Sequence, residues 1–314
     1  MAGPFKKGAI PPDPRVVIPK LEDYIDVSSL AGGLPAAPGI IDRESKVKAW
    51  PMYANGPDPA APPAIASTGV GDCTCAGIGH FLAAVTAFSG EVPGGVMFTD
   101  EAILGLYEAV GGYVLGDPAT DNGCMLQAVC QHMVTTGLAD ITGKVHKLAG
   151  YFAIGGYANL ELLKQVANTF GGVYLGVAVS DGADQQFSAG QPWTLPKAAA
   201  NVGPNGIDHC VVLQYSAFGV TGIGDDQTVI TWGIEQKINQ AWAETNIGQA
   251  IGLITEDWIA KNGTSINGQS LQQLITDSKN VRGLRLRRTP SRRRLTKVYC
   301  LRYFDDLAIR RHNP

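Results

Sequence analysis

The chain has 314 residues, of which 45% are hydrophobic and 17% charged, and its formal net charge is −3. A chain of this length and composition buries a full core in one large or two small domains, which excludes a fibrous or disordered protein. No apolar run approaches the roughly 18 residues that span a bilayer, so we expect no membrane span. The basic residues near the start have no apolar stretch behind them, so we expect no secretory signal and a cytoplasmic protein.

Charge is distributed unevenly along the chain. From Lys279 onward there are 12 Lys or Arg and 2 Asp or Glu, which leaves 13 basic and 26 acidic residues in positions 1–278. The body is therefore acidic and the end strongly basic. Two interpretations of this tail stay open: a solvated terminus that neutralises the body, and non-specific contact with nucleic acid or an anionic surface.

The six cysteines predict neither a disulfide framework nor a metal site. They are Cys73, Cys75, Cys124, Cys130, Cys210 and Cys300. In a chain this long without a predicted secretory signal, we expect reduced thiols. The spacings Cys-x-Cys and Cys-x5-Cys differ from the pairs about two to four residues apart that hold structural zinc. We expect no metal and no cofactor.

In chain order, the elements begin with an extended, Pro-rich N-terminal arm over residues 1–64. A central helix is predicted over Thr74–Phe88, because its apolar residues recur at helical spacing and Gly90 follows as the C′ residue. Further helices are predicted over Asp100–Val110 with Thr99 as N-cap, over Cys124–Thr135, and over Leu160–Phe170 with Asn159 as N-cap.

After Gly171 and Gly172 the hydrophobic period changes from that of helices to that of strands. Strands are predicted over Val173–Val179, Cys210–Tyr215, Thr228–Trp232 and Ala250–Ile254, with a hairpin-like turn at Gly222–Asp226. Helices followed by strands predict an α+β domain over residues 65–262, in which a helical layer with a central N-terminal helix packs on an antiparallel, partly barrel-like sheet. Residues 263–314 are predicted to form a basic C-terminal tail.

A cysteine at a helix start and a distant histidine at a strand start predict a nucleophile and its base. Cys73 and His209 are 136 residues apart, within the roughly 130–150 residues that separate such partners in papain-like enzymes. The helix dipole at Cys73 is expected to lower the thiol pKa. Cys75 competes for the same role, but Gly71 and Asp72 favour Cys73, since they form the turn before it and Asp72 can cap the first amides.

These motifs resemble the papain-like cysteine peptidase superfamily. Asp208-His209-Cys210-Val211-Val212 is similar to the Asp-His-Ala-Val stretch of papain-type enzymes, and Thr231-Trp232-Gly233 to their Trp-Gly strand end. Four segments together are more narrowly similar to an uncharacterised bacterial, prophage and phage branch: Ala109–Tyr113, Asp117-Pro118, Thr120–Cys124 and Val229–Gly233. The match covers roughly residues 65–262. The resemblance implies a papain-like fold and a peptide or protein substrate. It also implies the catalytic pair Cys73 and His209, with Cys75, Asp208, Thr231 and Trp232 as supporting residues.

The chain departs from the family pattern at two positions. No amide side chain precedes Cys73 within Ser67–Asp72, where papain-like enzymes use a Gln to hold the oxyanion, and Ile230 replaces the Asn that orients the base. A regular strand directs Thr231 to the face opposite Ile230. We therefore expect packing or a main-chain carbonyl to hold His209.

Two functions follow, and whether the chain is an enzyme stays open. The first is a thiol hydrolase that cleaves peptide or amide bonds weakly through the Cys73–His209 pair. The alternative is a catalytically degenerate papain-like fold that serves as a structural or binding module in a phage particle. Under this alternative, the protein would be virion-associated and its partners would be other virion proteins.

Overall fold

The computed structural model describes residues 5–15, 17–18, 41–42, 45–58, 61–155, 159–195, 206–216 and 227–257. The predicted basic tail, residues 263–314, and the predicted turn at Gly222–Asp226 lie outside these ranges.

The described residues form short and long elements of both types. The helices are α1 (Cys73–Ser89), α2 (Asp100–Gly111), α3 (Leu126–Thr135), α4 (Leu160–Phe170), α5 (Asp181–Ser188) and α6 (Gln240–Asn246). The strands are β1 (Ala9–Ile10), β2 (Ile41–Asp42), β3 (Cys124–Met125), β4 (Leu138–Ala139), β5 (Val145–His146), β6 (Leu148–Ala153), β7 (Val173–Val177), β8 (His209–Ser216), β9 (Gln227–Thr231), β10 (Ile234–Ile238) and β11 (Ile247–Thr255).

The main sheet is antiparallel throughout, as the α+β prediction requires. Its strands follow the order β10-β9-β8-β7-β11-β6, and β2 also pairs with β8. Every pairing in it is antiparallel. The sheet has two ends in this order, so the partly barrel-like sheet is not a closed barrel. Two small sheets stand apart from it, a parallel one of β1 and β3 and an antiparallel one of β4 and β5.

Helix α1 is the centre of the core. Nearly all of its residues are buried, because it packs against β8 on one side and against α2 and α3 on the other. Small residues make this close approach possible: a Cβ added at Gly77 would stand 2.9 Å from the Tyr174 ring and 3.2 Å from the Cys210 sulfur. The buried α1 therefore fixes Cys73, its first residue, against the sheet.

Two predicted helix caps are confirmed. The hydroxyl of Thr99 accepts a hydrogen bond from the Ala102 amide at 3.2 Å, and the side chain of Asn159 accepts one from the Leu162 amide at 3.2 Å. The predicted helix over Cys124–Thr135 begins two residues late, because Cys124 and Met125 pair with β1 as a strand.

The sequence prediction missed four longer elements, β6, α5, β10 and α6, and the five two-residue strands β1–β5. Among the described residues, no helix is both long enough and apolar enough to cross a membrane.

Candidate active site

Cys73 begins helix α1 and points its sulfur at the start of strand β8. The backbone amides of Gly8 and Cys210 lie beside this sulfur and favour its negative charge. Cys210 directly follows His209, so the predicted nucleophile lies beside the strand end that carries the predicted base. The Cys73 side chain is almost fully enclosed, with 2% of its residue surface exposed.

The expected lowering of the Cys73 pKa is wrong for this structure. Burial raises the pKa of the thiol well above its ordinary value, although the two backbone amides oppose it. The helix cap expected from the Asp72 side chain also differs from the one in the structure. Among the described residues, the Asp72 side chain makes no capping hydrogen bond, and its main-chain carbonyl instead accepts from the amides of Cys75 and Ala76. Burial also raises the pKa of the Asp72 carboxyl. The enclosed thiol therefore stays protonated.

His209 is held by the two residues that end strand β9 and follow it. Its Nε2 lies 2.6 Å from the Thr231 hydroxyl. Its ring stacks on Trp232, with 4.2 Å between the ring centroids and 21° between the planes. The other nitrogen, Nδ1, is buried without a hydrogen-bond partner among the described residues. With Thr231 bound to Nε2, Nδ1 is the nitrogen left to exchange a proton.

Thr231 points to the face opposite Ile230, as expected of a regular strand, and the strand register explains why this face is the one that carries His209. Ile230 pairs with Val212 across the antiparallel β8–β9 ladder, so Thr231 comes opposite Val211. Since alternate residues of a strand share a face, Val211 and His209 point the same way, and Thr231 joins them. Ile230 points to the other face. The hydroxyl of Thr231, together with packing on Trp232, thus orients the imidazole.

An amide side chain lies next to Asp72, the residue before Cys73, and it comes from an earlier segment than Ser67–Asp72. Asn55 has 2% of its surface exposed, and its Nδ2 donates to the carbonyls of Val70, at 3.0 Å, and Lys6, at 3.3 Å. Strained backbone marks this position. Among the described residues, the non-glycine residues with positive φ are Tyr53, Ala54 and Trp232. All three flank the site, as expected where tertiary contacts enforce unusual conformations.

Residues Phe5–Ile10, which we call the strap, cross the site between α1 and β8. The Lys6 carbonyl accepts hydrogen bonds from Asn55 and, at 3.0 Å, from the Trp232 indole. The Ala9 amide donates to the carbonyl of Asp208 at 3.1 Å. The strap then pairs as β1 with β3. These bonds hold it as an extended peptide over Cys73 and His209.

Glycines let the strap lie this close. A Cβ added at Gly8 would stand 1.7 Å from the Gly71 carbonyl oxygen. Gly123 has φ of 73°, in the left-handed region, and a Cβ there would stand 2.0 Å from the Gly8 oxygen. The loops that carry Gly71 and Gly123 are joined through Asp121 and Tyr107. The Asp121 carboxylate accepts from the Gly71 amide and from the Tyr107 hydroxyl, and that hydroxyl accepts from the Gly123 amide.

The strap also places a positive charge beside the base. The Lys7 ammonium lies 2.5 Å from the carboxylate of Asp184, in α5, and 3.3 Å from the Val179 carbonyl. Burial lowers the pKa of His209 well below its ordinary value, and the charge of Lys7 lowers it further. In the covered site the imidazole is therefore neutral.

The remaining predicted site residues have structural contacts. The carboxylate of Asp208 accepts from the Val179 amide at 2.9 Å, which fixes the loop that precedes α5. Cys75 is fully buried near Thr74 and Cys124, and burial raises its pKa. The structure thus brings together His209, Thr231 and Trp232, and it places Cys73 beside Cys210, the residue that follows His209, and Cys75 beside Cys124.

Comparisons with known proteins agree on the fold. No family model matches the chain, and no curated protein matches it in sequence. Among solved structures, xylellain, a cysteine protease from Xylella fastidiosa, matches with a TM-score of 0.52 and 10% identity over 81% of this chain and 97% of its own. Procathepsin L 3 of the Tenebrio molitor larval midgut matches with a TM-score of 0.48 and 11% identity over 81% and 76%. The proform of the ragweed cysteine protease Amb a 11 matches with a TM-score of 0.47 and 16% identity over 76% and 72%. The fold of this chain is therefore that of the papain-like cysteine proteases.

Proposed function

We propose that the protein is a thiol hydrolase of peptide bonds, held latent by its own strap. One observation carries this proposal: the site already binds an extended peptide. Four polar groups of the site contact strap main chain, namely the Cys73 sulfur, the Asn55 amide, the Trp232 indole and the Asp208 carbonyl. Main-chain contacts of this kind bind a peptide whatever its side chains are. The fold shared with cysteine proteases supports the same conclusion.

The chemistry uses the sulfur of Cys73 and Nδ1 of His209. Cys73 transfers its proton to Nδ1, and the sulfur attacks the carbonyl carbon of the peptide bond. The imidazolium, held by Thr231 through Nε2, returns the proton to the leaving amine nitrogen. Water then hydrolyses the thioester with His209 as base, and the free thiol and a carboxylic acid are released.

Asn55 supplies the second hydrogen-bond donor for the oxyanion, which no side chain within Ser67–Asp72 provides. The backbone amide of Cys73, at the first position of α1, has no partner within its helix and can donate to an oxyanion. The Asn55 Nδ2 donates one hydrogen to the Val70 carbonyl, and the other reaches a strap carbonyl. When the strap leaves, that second hydrogen is free for a substrate oxygen.

The strap is a ligand that the site does not cleave. Its amide at Gly8, rather than a carbonyl carbon, meets the sulfur. Its carbonyls at Lys6 and Gly8 are bound to other donors, the second of them to the Cys124 amide at 2.8 Å. The chain is therefore expected to show little activity until the strap moves.

A full-length Gly8→Ala variant tests the proposal, because the added methyl cannot fit against Gly71. We expect faster hydrogen exchange in residues 5–10 and selective alkylation of Cys73 by iodoacetamide at pH 6. The alkylation rate should rise about tenfold or more. A loss of ~1.4 kcal/mol in strap binding increases the population with an open site tenfold, and the rate follows that population. Hydrolysis of labelled casein should appear as well. It should vanish in Gly8→Ala/Cys73→Ala.

Gly105→Ala is the matched control, since no atom lies within 4 Å of a Cβ added there. In strap exchange, alkylation and hydrolysis it should behave as the wild type does. If exchange shows the strap displaced in Gly8→Ala, yet neither selective alkylation nor hydrolysis appears, the proposal is wrong. That result would favour the degenerate module predicted as the alternative. The association with a phage branch stays a prediction in either case.

A further inference from the structure

We propose that the cleft selects peptides in which a basic residue directly precedes a glycine, and that Asp184 is the residue that recognises the basic side chain. This inference rests on the proposed function, because the peptide would occupy the same cleft. The strap supplies the pattern: it places Lys7 against Asp184 and Gly8 against Gly71.

The Lys7 side chain lies in an enclosed acidic subsite. It is 21% exposed, the Asp184 side chain 32%, and the Lys7 ammonium also contacts the Val179 carbonyl. Asp181 and Asp208 add negative charge around Asp184. An ammonium that enters here finds a carboxylate, a carbonyl oxygen and a negative field, whereas an acidic side chain would meet like charges in a partly desolvated place.

The neighbouring lysine of the strap has no comparable subsite. The Lys6 side chain is 44% exposed, and its ammonium lies 3.8 Å from the carboxylate of Asp121. An ammonium this exposed, at this distance from a carboxylate, contributes little to binding. The two adjacent lysines therefore predict opposite results, and Lys6 provides a matched control within the same peptide.

A peptide that follows the path of the strap can carry only glycine at the position after the basic residue. A Cβ at Gly8 would overlap the main-chain oxygen of Gly71, which cannot move aside as a side chain could. The Phe5 ring packs against Phe187 and Trp232 and can add a preference for an aromatic residue two positions before the basic one. At positions 7 and 8 themselves, selectivity comes from the charge of the first and the missing side chain of the second.

The test is peptide binding to full-length Gly8→Ala/Cys73→Ala protein, whose strap is displaced and whose thiol is absent. The probe is the acetylated, amidated peptide Pro-Phe-Lys-Lys-Gly-Ala-Ile-Pro, residues 4–11 of the chain. Isothermal titration gives its dissociation constant. The Lys7→Glu peptide should bind about 10- to 100-fold more weakly, the effect expected for a like charge in an enclosed subsite. The Gly8→Ala peptide should bind at least as poorly, and the Lys6→Glu peptide almost as well as the parent.

An Asp184→Lys substitution in the same protein should reverse the preference, so that the Lys7→Glu peptide binds more tightly than the parent. Equal binding of the parent and the Lys7→Glu peptide overturns the inference. So does an unchanged preference in the Asp184→Lys protein, or no measurable binding of the parent. Because this protein lacks the thiol, the result does not depend on hydrolysis. The titrations therefore test the subsite, whereas alkylation and hydrolysis test the proposed function, so that a failure of one is distinguished from a failure of the other.

Discussion

Replacing Thr231 by valine should destabilise the protein through His209. Valine has nearly the same shape as threonine but lacks the hydroxyl that lies 2.6 Å from Nε2. Thr231 is 2% exposed and His209 fully buried, so water does not replace the lost partner. The other ring nitrogen has no partner among the described residues. The variant would therefore bury an imidazole without any hydrogen bond.

The cost follows from that loss. A buried polar group left without a partner costs about 1–3 kcal/mol. We expect the free energy of unfolding to fall by that amount, which corresponds to a rise of about 5- to 140-fold in the unfolding equilibrium constant. Urea unfolding followed by tryptophan fluorescence measures it, with a lower midpoint and an unchanged slope.

A double-mutant cycle separates the hydrogen bond from other effects of the substitution. When both partners become apolar, no polar group is left unsatisfied. Thr231→Val in a His209→Phe protein should therefore cost much less than it does in the wild type, and Phe keeps the stacking on Trp232. If Thr231→Val unfolds at the wild-type urea midpoint, or if the two substitutions are additive, the account of how His209 is held is wrong.

Three further substitutions test a buried ion network, the core and an exposed helix position. Burial lowers the pKa of His146, but hydrogen bonds to two flanking carboxylates outweigh it and raise that pKa above its ordinary value. His146→Gln should cost about 3–5 kcal/mol at pH 6. In urea unfolding, the deficit should shrink as the pH rises through the raised pKa, because the charged form stabilises the fold only below it. Gly77→Ala places a methyl against Tyr174 and Cys210 and should cost about 1–3 kcal/mol by overpacking, as thermal unfolding would show. Gly105→Ala, in open space on α2, should instead stabilise by about 0.5–1 kcal/mol.

Local patterns predicted the parts of the fold that local forces determine. The central helix, the Thr99 and Asn159 caps and the strand that begins at His209 are each specified by a few adjacent residues, and the structure confirms them. Helix α5 was missed because its sequence, Asp181–Ser188, is mostly polar and buries few side chains. Its place in the fold is determined by Ser180, which caps it, and by contacts with distant segments.

The features of the site that were not predicted come from pairings that no local pattern contains. Whether Thr231 shares a face with His209 depends on which residue of β8 faces Ile230, and a shift of one residue would reverse it. Asn55 reaches the site through a turn of strained backbone far from the nucleophile in sequence. The strap has no hydrophobic period, and its position depends on bonds to residues more than a hundred positions away, such as Trp232.

Burial keeps both members of the pair neutral, and the strap contributes to this state. Burial raises the pKa of Cys73 and lowers that of His209, and the strap's Lys7 lowers the latter further. Both shifts favour the neutral thiol and the neutral imidazole over the ion pair. When the strap leaves, water reaches the sulfur and the Lys7 cation departs, while Asp184 stays on the domain close to the site. Each change favours the thiolate and the imidazolium. A movement of the strap alone would therefore open the cleft and charge the nucleophile in the same step.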